Sequence, residues 1–254
     1  MFLTRERVWL KNDLIPTMTP SIYRLYLLVM NILAIETSSP QGTVALQVDT
    51  NVYQLELGPQ RQQIEQILPV IDTLLTKHKI TAAQLNLLGF SAGPGSFTGI
   101  RVALGIIQGL ALANELPVVP VSSLKILAQT AWRIYQYEDI FCCINAYMQE
   151  VYCAAYKLGE NKLMQTVIND QLLTPHATKQ WELQGYHGIG DAWCVYAQQL
   201  QQMPGIVIDE TTIFPQAYDI LGFANQTFQQ GEAVEIDVAL PKYLRGKQAW
   251  QKTS

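Results

Sequence analysis

The residues of this chain that could do chemistry fall in two short stretches. Glu36-Thr37-Ser38-Ser39 follows the apolar run Ile32-Leu33-Ala34-Ile35, and Ser91-Ala-Gly-Pro-Gly-Ser-Phe-Thr-Gly-Ile-Arg101 sits between two apolar segments. In the second stretch Gly93 and Gly95 permit positive φ and close backbone approach, while Pro94 stiffens the turn between them. Ser96 or Thr98 can cap a helix there, whose first N–H groups and positive dipole end would suit an anion. The spacing is not that of a Walker loop, because no Gly-Lys-Ser/Thr closes it, and Gly93-x-Gly95-x-x-x-Gly99 differs from G-x-G-x-x-G. A plain strand-to-helix turn and a phosphate-contacting loop both stay open. Glu36, Thr37, Ser38, Gly93, Gly95 and Ser96 are the candidate nucleotide-facing residues.

Other chemistry is harder to build. Cys142, Cys143, Cys153 and Cys194 form no C-x-x-C pair, and His78, His176 and His187 form no H-x-x-x-H or H-E-x-x-H, so no metal motif is recognisable and buried reduced thiols are expected. No histidine is placed beside Ser96, which disfavours a protease serine. With Lys+Arg 17 against Asp+Glu 21 the net charge is −4, which argues against a stand-alone grip on nucleic acid. Hydrophobic residues make up 49% and charged ones 15%, so the chain has a core and is not disordered; its 26 glutamines read as amide polarity for the surface. No uninterrupted apolar run approaches the ~18 residues of a membrane span, and a cytoplasmic protein without a membrane contact is expected.

Hydrophobic periodicity places the elements around these stretches. Strands are expected at Ile32 to Glu36, Thr43 to Val48 and Val52 to Leu57, then an amphipathic helix from Gln62 to His78 that Pro69 should kink or break. A strand at Leu85 to Phe90, a helix from about Thr98 to Ala113, a strand at Pro117 to Val121 and a helix from Ser122 to Tyr135 follow. Further on, strands are expected at Ile140 to Asn145, Val151 to Leu158 and His187 to Gly190, with helices at Ala192 to Gln202 and Tyr218 to Gln230. The order is that of an α/β fold. It divides into a first lobe over residues 30–137 and a second over 138–254, whose last helix packs back on the first. Residues 1–29 read as an upstream extension, with translation expected to start at Met30.

The helix after the glycine loop carries its own message. From Ile100 to Ala113 only Arg101 and Gln108 are polar, so more than one side must be covered. Gly105, Gly109 and Ala113 recur every fourth residue, although each interior glycine costs about 1 kcal/mol relative to alanine. Packing against the chain's own sheet should use Val102, Leu104, Ile106, Ile107 and Leu110, leaving the small-residue stripe for a helix of another subunit. The expected interface is Ile100, Arg101, Leu104, Gly105, Gln108, Gly109, Leu112 and Ala113.

Four segments, Met30 to Ser39, Gly93 to Arg101 with its glycine-bearing helix, Glu150-Val-Tyr152 and Pro241-Lys-Tyr-Leu-Arg245, resemble the TsaB family of tRNA threonylcarbamoyladenosine biosynthesis proteins. The resemblance runs from Met30 to about Lys247. It implies two actin-like, ribonuclease H-like lobes with mixed sheets flanked by helices. It also implies a non-catalytic subunit that supports the TsaD paralogue, the enzyme that places threonylcarbamoyl on the tRNA adenosine beside the anticodon. TsaE, an ATPase, would join through that complex, tRNA would be met only indirectly, and a homodimer would form in isolation through the same first-lobe helices. No cofactor of its own is implied, only an adenine nucleotide at the heteromeric interface. The chain departs from the family's usual pattern at Glu36 and Asn145, where aspartates are common, and the helix from Ser122 lacks the metal-binding histidine pair of the catalytic paralogue. An independent actin-like nucleotide-binding enzyme or a peptidase is the alternative.

Overall fold

The computed structural model describes residues 30–200, 203–208 and 213–245. The expected extension over 1–29 and the end of the expected helix at Gln202 lie outside them. Five strands form the first sheet: β1 (Ile32–Glu36), β2 (Gln41–Val48), β3 (Asn51–Pro59), β4 (Leu87–Ser91) and β5 (Val118–Val121), in the order β3-β2-β1-β4-β5. The second holds β6 (Asp139–Tyr147), β7 (Glu150–Leu158), β8 (Met164–Leu173), β9 (His187–Ile189) and β10 (Val207–Ile208), in the order β10-β9-β6-β7-β8. In each sheet the first strand lies antiparallel to the second and parallel to the fourth, and the fifth extends the parallel side. This is one ribonuclease H-like layout used twice, although the sequence has no visible internal repeat. All five residues of β1 are buried, as a central strand covered on both faces requires.

Helices fill three layers. On the outer side of the first sheet, α1 (Gln60–Lys77) and α2 (Phe97–Asn114) enclose a core that includes Leu33, Ile35, Phe90 and Ile107. Outside the second sheet lie the short α4 (Ala192–Val195) and α5 (Ala197–Leu200), packed on Phe141 and Trp193. Between the sheets run α3 (Ser123–Tyr135) and α6 (Ala217–Gln229). Their core joins Ile32, Ala34 and Leu87 of the first sheet to Ile140, Cys142 and Tyr156 of the second. α6 packs on the first sheet and α3 on the second, so each lobe is covered by a helix from the other half of the chain.

One buried ion pair fastens this middle layer. Asp219 on α6, 5% exposed, accepts two hydrogen bonds from the Arg133 guanidinium at 2.8 Å and one from Thr130 Oγ1 at 2.6 Å, all from α3. The start of α6 is capped from the first sheet: Thr43 Oγ1 accepts from the Ala217 N–H and Gln54 Oε1 from the Tyr218 N–H, each at 2.8 Å. Glutamine also works inside the fold, since Gln129, 4% exposed, donates to the Lys162 carbonyl and accepts from the Met164 N–H. The amide surplus is thus partly structural and not only a surface polarity.

Several expectations change. α1 runs unbroken through Pro69, whose missing N–H is an exposed position's loss. The helix expected from Ala192 divides at Tyr196 into α4 and α5. β8 and β10 had no sequence forecast; β8 is an edge strand with few buried residues, so its apolar alternation is weak. By length and composition the 18-residue α2 could cross a membrane, but Arg101 and Gln108 interrupt its apolar run and it packs here on the first sheet. Replacing Arg133 by Met should lower stability by about 2–4 kcal/mol, because the Asp219 carboxylate stays buried without its counter-ion. Urea unfolding measures this, and an unchanged midpoint would contradict it.

Candidate functional site

The two chemically suggestive stretches meet, and what they do first is hold each other. Ser96 caps α2, its Oγ accepting from the Gly99 N–H at 3.2 Å, while its own N–H donates to the Ser38 carbonyl at 2.8 Å. Thr37 Oγ1 donates to the Gly99 carbonyl at 2.7 Å. A methyl group added at Gly99 would lie 1.8 Å from the Thr37 carbonyl oxygen, and one at Gly95 would lie 2.4 Å from that of Ser38. The glycines are required because one backbone crosses another. Ser123 adds a second tie, its N–H donating to the Gly93 carbonyl at 3.0 Å and its hydroxyl to that of Pro94.

Glu36 organises the other half of this contact from within. Its carboxylate is fully buried and accepts from the Ser38 N–H at 2.7 Å, from the Ser38 hydroxyl and from the Ser39 hydroxyl at 3.1 Å. Burial dominates and raises its pKa from 4.5 to about 7, with the serine hydrogen bonds opposing that rise. The carboxylate therefore shapes the Ser38–Ser39 turn and is not presented to a ligand.

Between the lobes opens a cleft of about 700 Å³. Ser38, Gly95 and Ser96 line it, whereas Glu36, Thr37 and Gly93 do not, which corrects half of the expected nucleotide-facing set. Gly93 instead faces the Ile100 side chain. The far wall includes Asn145 and Asp191. Asn145 donates its N–H to Asp191 Oδ1 at 2.8 Å and its side-chain oxygen accepts from the Tyr147 N–H and Tyr196 hydroxyl. Asp191 thus brings a carboxylate to this wall, a residue the sequence reading passed over. Also unassigned in advance was the segment Lys242 to Arg245, all of which lines the cleft.

α2 presents two opposite faces. Gly99, Ile100, Ala103, Ile107 and Ala111 are buried against the chain's own sheet. Of the large residues expected to pack on the sheet, Ile107 is fully buried and Val102, Leu104, Ile106 and Leu110 pack half-buried against the same core, while small residues, Gly99, Ala103 and Ala111, share the buried side. Ile100, at 2% exposure, is removed from the expected interface, and Leu104 lies at its edge. Arg101, Gly105, Gln108, Gly109, Leu112 and Ala113 are exposed together, Leu112 by 67%. Among the described residues, no atom outside the helix's own backbone lies within 4 Å of where a Cβ would stand at Gly105 or Gly109. The neighbouring α1 adds exposed Ile64 and Leu68, one turn apart. Among the described residues no three His, Cys, Asp or Glu side chains converge as a metal site would require.

These contrasts have measurable consequences. Gly105→Ala and Gly109→Ala should each stabilise the free chain by up to about 1 kcal/mol, the ordinary helix gain, whereas Gly99→Ala should destabilise it by about 1–3 kcal/mol through overpacking. Equal signs at all three sites in thermal unfolding would contradict the assignment of faces. For Glu36, a raised pKa means that the folded state holds a proton that the unfolded state has lost, so stability falls as pH rises from 4.5 to about 7. Glu36→Gln should remove that slope and gain on the order of 2–3 kcal/mol over the native chain at pH 8; parallel stability–pH curves would contradict it.

Comparison with known proteins bears on the same residues. A family model described as TsaD, tRNA N6-adenosine threonylcarbamoyltransferase, matches residues 59–253. The tRNA threonylcarbamoyladenosine biosynthesis protein TsaB of Escherichia coli is 36% identical over 227 residues, covering 88% of this chain and 98% of that protein. Its Haemophilus influenzae counterpart is 31% identical, over 88% and 97%. The solved structure of YeaZ from Pseudomonas aeruginosa superposes with a TM-score of 0.79 at 33% identity, covering 85% of this chain and all of that one. With the doubled ribonuclease H-like layout and the interlocked glycine loop, these similarities show that the chain belongs to the TsaB family of tRNA threonylcarbamoyladenosine biosynthesis proteins.

Proposed function

We propose that this chain acts in tRNA threonylcarbamoylation as a docking subunit without catalysis of its own, offering the outer face of α2 to the TsaD-type transferase. The observation that carries the reading is the exposed stripe of Gly105, Gly109, Leu112 and Ala113. Two glycines there weaken the helix by about 1 kcal/mol each, yet among the described residues no neighbouring element approaches them. Close approach of a second helix offsets that loss, and Leu112 with Ile64 and Leu68 supplies apolar area on either side. A homodimer would use the same face and compete with the transferase, while the TsaE-type ATPase would join through the transferase. An adenine nucleotide held by the assembly would sit at the heteromeric interface, since Ser96 spends its N–H on the Ser38 carbonyl and Gly95 is pressed against that same carbonyl.

Gly109→Leu should leave the free chain folded and reduce association with the transferase at least tenfold, measured by titration calorimetry. Reconstituted tRNA modification should need the native chain and fail to recover with this variant. Full activity of the transferase alone would defeat the reading, and ATP or peptide hydrolysis by this chain alone would favour an enzyme instead.

A further inference from the structure

We propose that Pro241–Arg245 is a strap that clamps the second lobe onto the start of α2 and sets the width of the interlobe cleft it lines. Within four residues it binds both sides. On the first lobe, the Lys242 N–H donates to the Ala92 carbonyl at 2.7 Å, and the Tyr243 hydroxyl accepts from Arg101 Nε at 3.3 Å, with its ring 5.6 Å from that of Phe97. On the second, Lys242 Nζ lies 3.0 Å from Asp170 of β8, and Arg245 pairs with Glu150 of β7 at 2.7 Å while donating to the Ala146 carbonyl at 2.8 Å. One segment therefore spans from the glycine loop and α2 to the turn between β6 and β7.

That turn is a receiver that needs holding. Tyr147, Met148 and Gln149 stand in succession at φ of 59°, 52° and 59°. Left-handed backbone is unfavourable for residues with a Cβ, and a run of three persists only where surrounding contacts impose it. Arg245 supplies such contacts at Ala146 and Met148, and Asn145 accepts from the Tyr147 N–H. On the other side Asp170, 8% exposed, is already bound by the Ser122 and Tyr156 hydroxyls at 2.7 and 2.8 Å, so it is a fixed post for Lys242. The strap itself is more open, with the Lys242 side chain 44% and Tyr243 49% exposed. Its Lys242 anchor is reached by solvent and salt, while Arg245 is only 16% exposed; the Arg133–Asp219 pair, with Arg133 at 32%, differs from the strap in being backed by the apolar core that α3 and α6 share. The cleft consequently has a permanent join through α3 and α6 and a releasable one through the strap.

Hydrogen exchange read by mass spectrometry on the full chain tests this. Lys242→Met should raise exchange at least fivefold in the strap and also in residues 145–149, which it does not touch, while β1 and α6 keep their protection. Arg245→Met should reciprocally loosen the Lys242 amide, and Lys242→Arg should restore the turn. Raising NaCl from 50 mM to 1 M on the native chain should speed exchange in strap and turn together, a measurement that stands even if a variant folds poorly. Exchange confined to the strap, with residues 145–149 unchanged in the variants or in salt, would overturn the clamp.

Discussion

The structure depends on one close crossing of backbone over backbone. The carbonyls of Thr37 and Ser38 press against Gly99 and Gly95, at distances that leave no room for a side chain. Hydrogen bonds from Ser96 and Thr37 fix the crossing, and buried Glu36 sets the shape of the turn that makes it. Because Gly99 lies in the first turn of α2, the crossing fixes where that helix begins, how deeply its Ala103–Ile107–Ala111 side sinks into the sheet and which side is left outside. A loop that looks suited to an anion thus spends its geometry on positioning a helix.

The same economy appears between the lobes. Two ribonuclease H-like sheets in many proteins could move freely about a cleft, but here α3 and α6 form a common middle layer whose apolar core belongs to both. The buried Asp219 carboxylate is met there by two hydrogen bonds from Arg133 and one from Thr130. What freedom remains is concentrated at the opposite kind of join, charged and solvent-reached, where the carboxy-terminal segment meets the left-handed turn. Rigid helix, shared core and adjustable cleft are then three consequences of where the chain buries polar groups and with what partners.

Much of this was legible in the sequence. β1, α2 and α3 appear within a residue or so of their forecast positions because their apolar patterns are strong and their capping serines, Ser96 and Ser122, mark the starts. β8 was not legible, since this edge strand buries Asp170 and exposes Val167, so apolar and polar residues do not alternate with its faces. The solvent-facing glycines of α2 were legible from their spacing, but the inward placement of Ile100 was not, because a helix that is apolar on every side gives periodicity no contrast to work with. Glu36 could be picked out as an acid at the end of a buried strand; that it turns inward to Ser38 and Ser39 depends on a three-residue turn. The strap could be seen only as a familiar motif, since its contacts are with residues 72 to 150 positions away.

Membership of the TsaB family places the chain in threonylcarbamoyladenosine biosynthesis, and under the proposed function the exposed face of α2 is what it contributes. The central claim is that this face meets the transferase. Hydroxyl-radical footprinting of the native chain, free and in complex with the TsaD-type transferase, tests it most directly. The account predicts strong protection of Leu112 on α2 and of Ile64 and Leu68 on α1, with Tyr147 and Met148 at the cleft mouth still reactive. Undiminished oxidation of Leu112, Ile64 and Leu68 in the complex, with protection moved to the cleft, would contradict it.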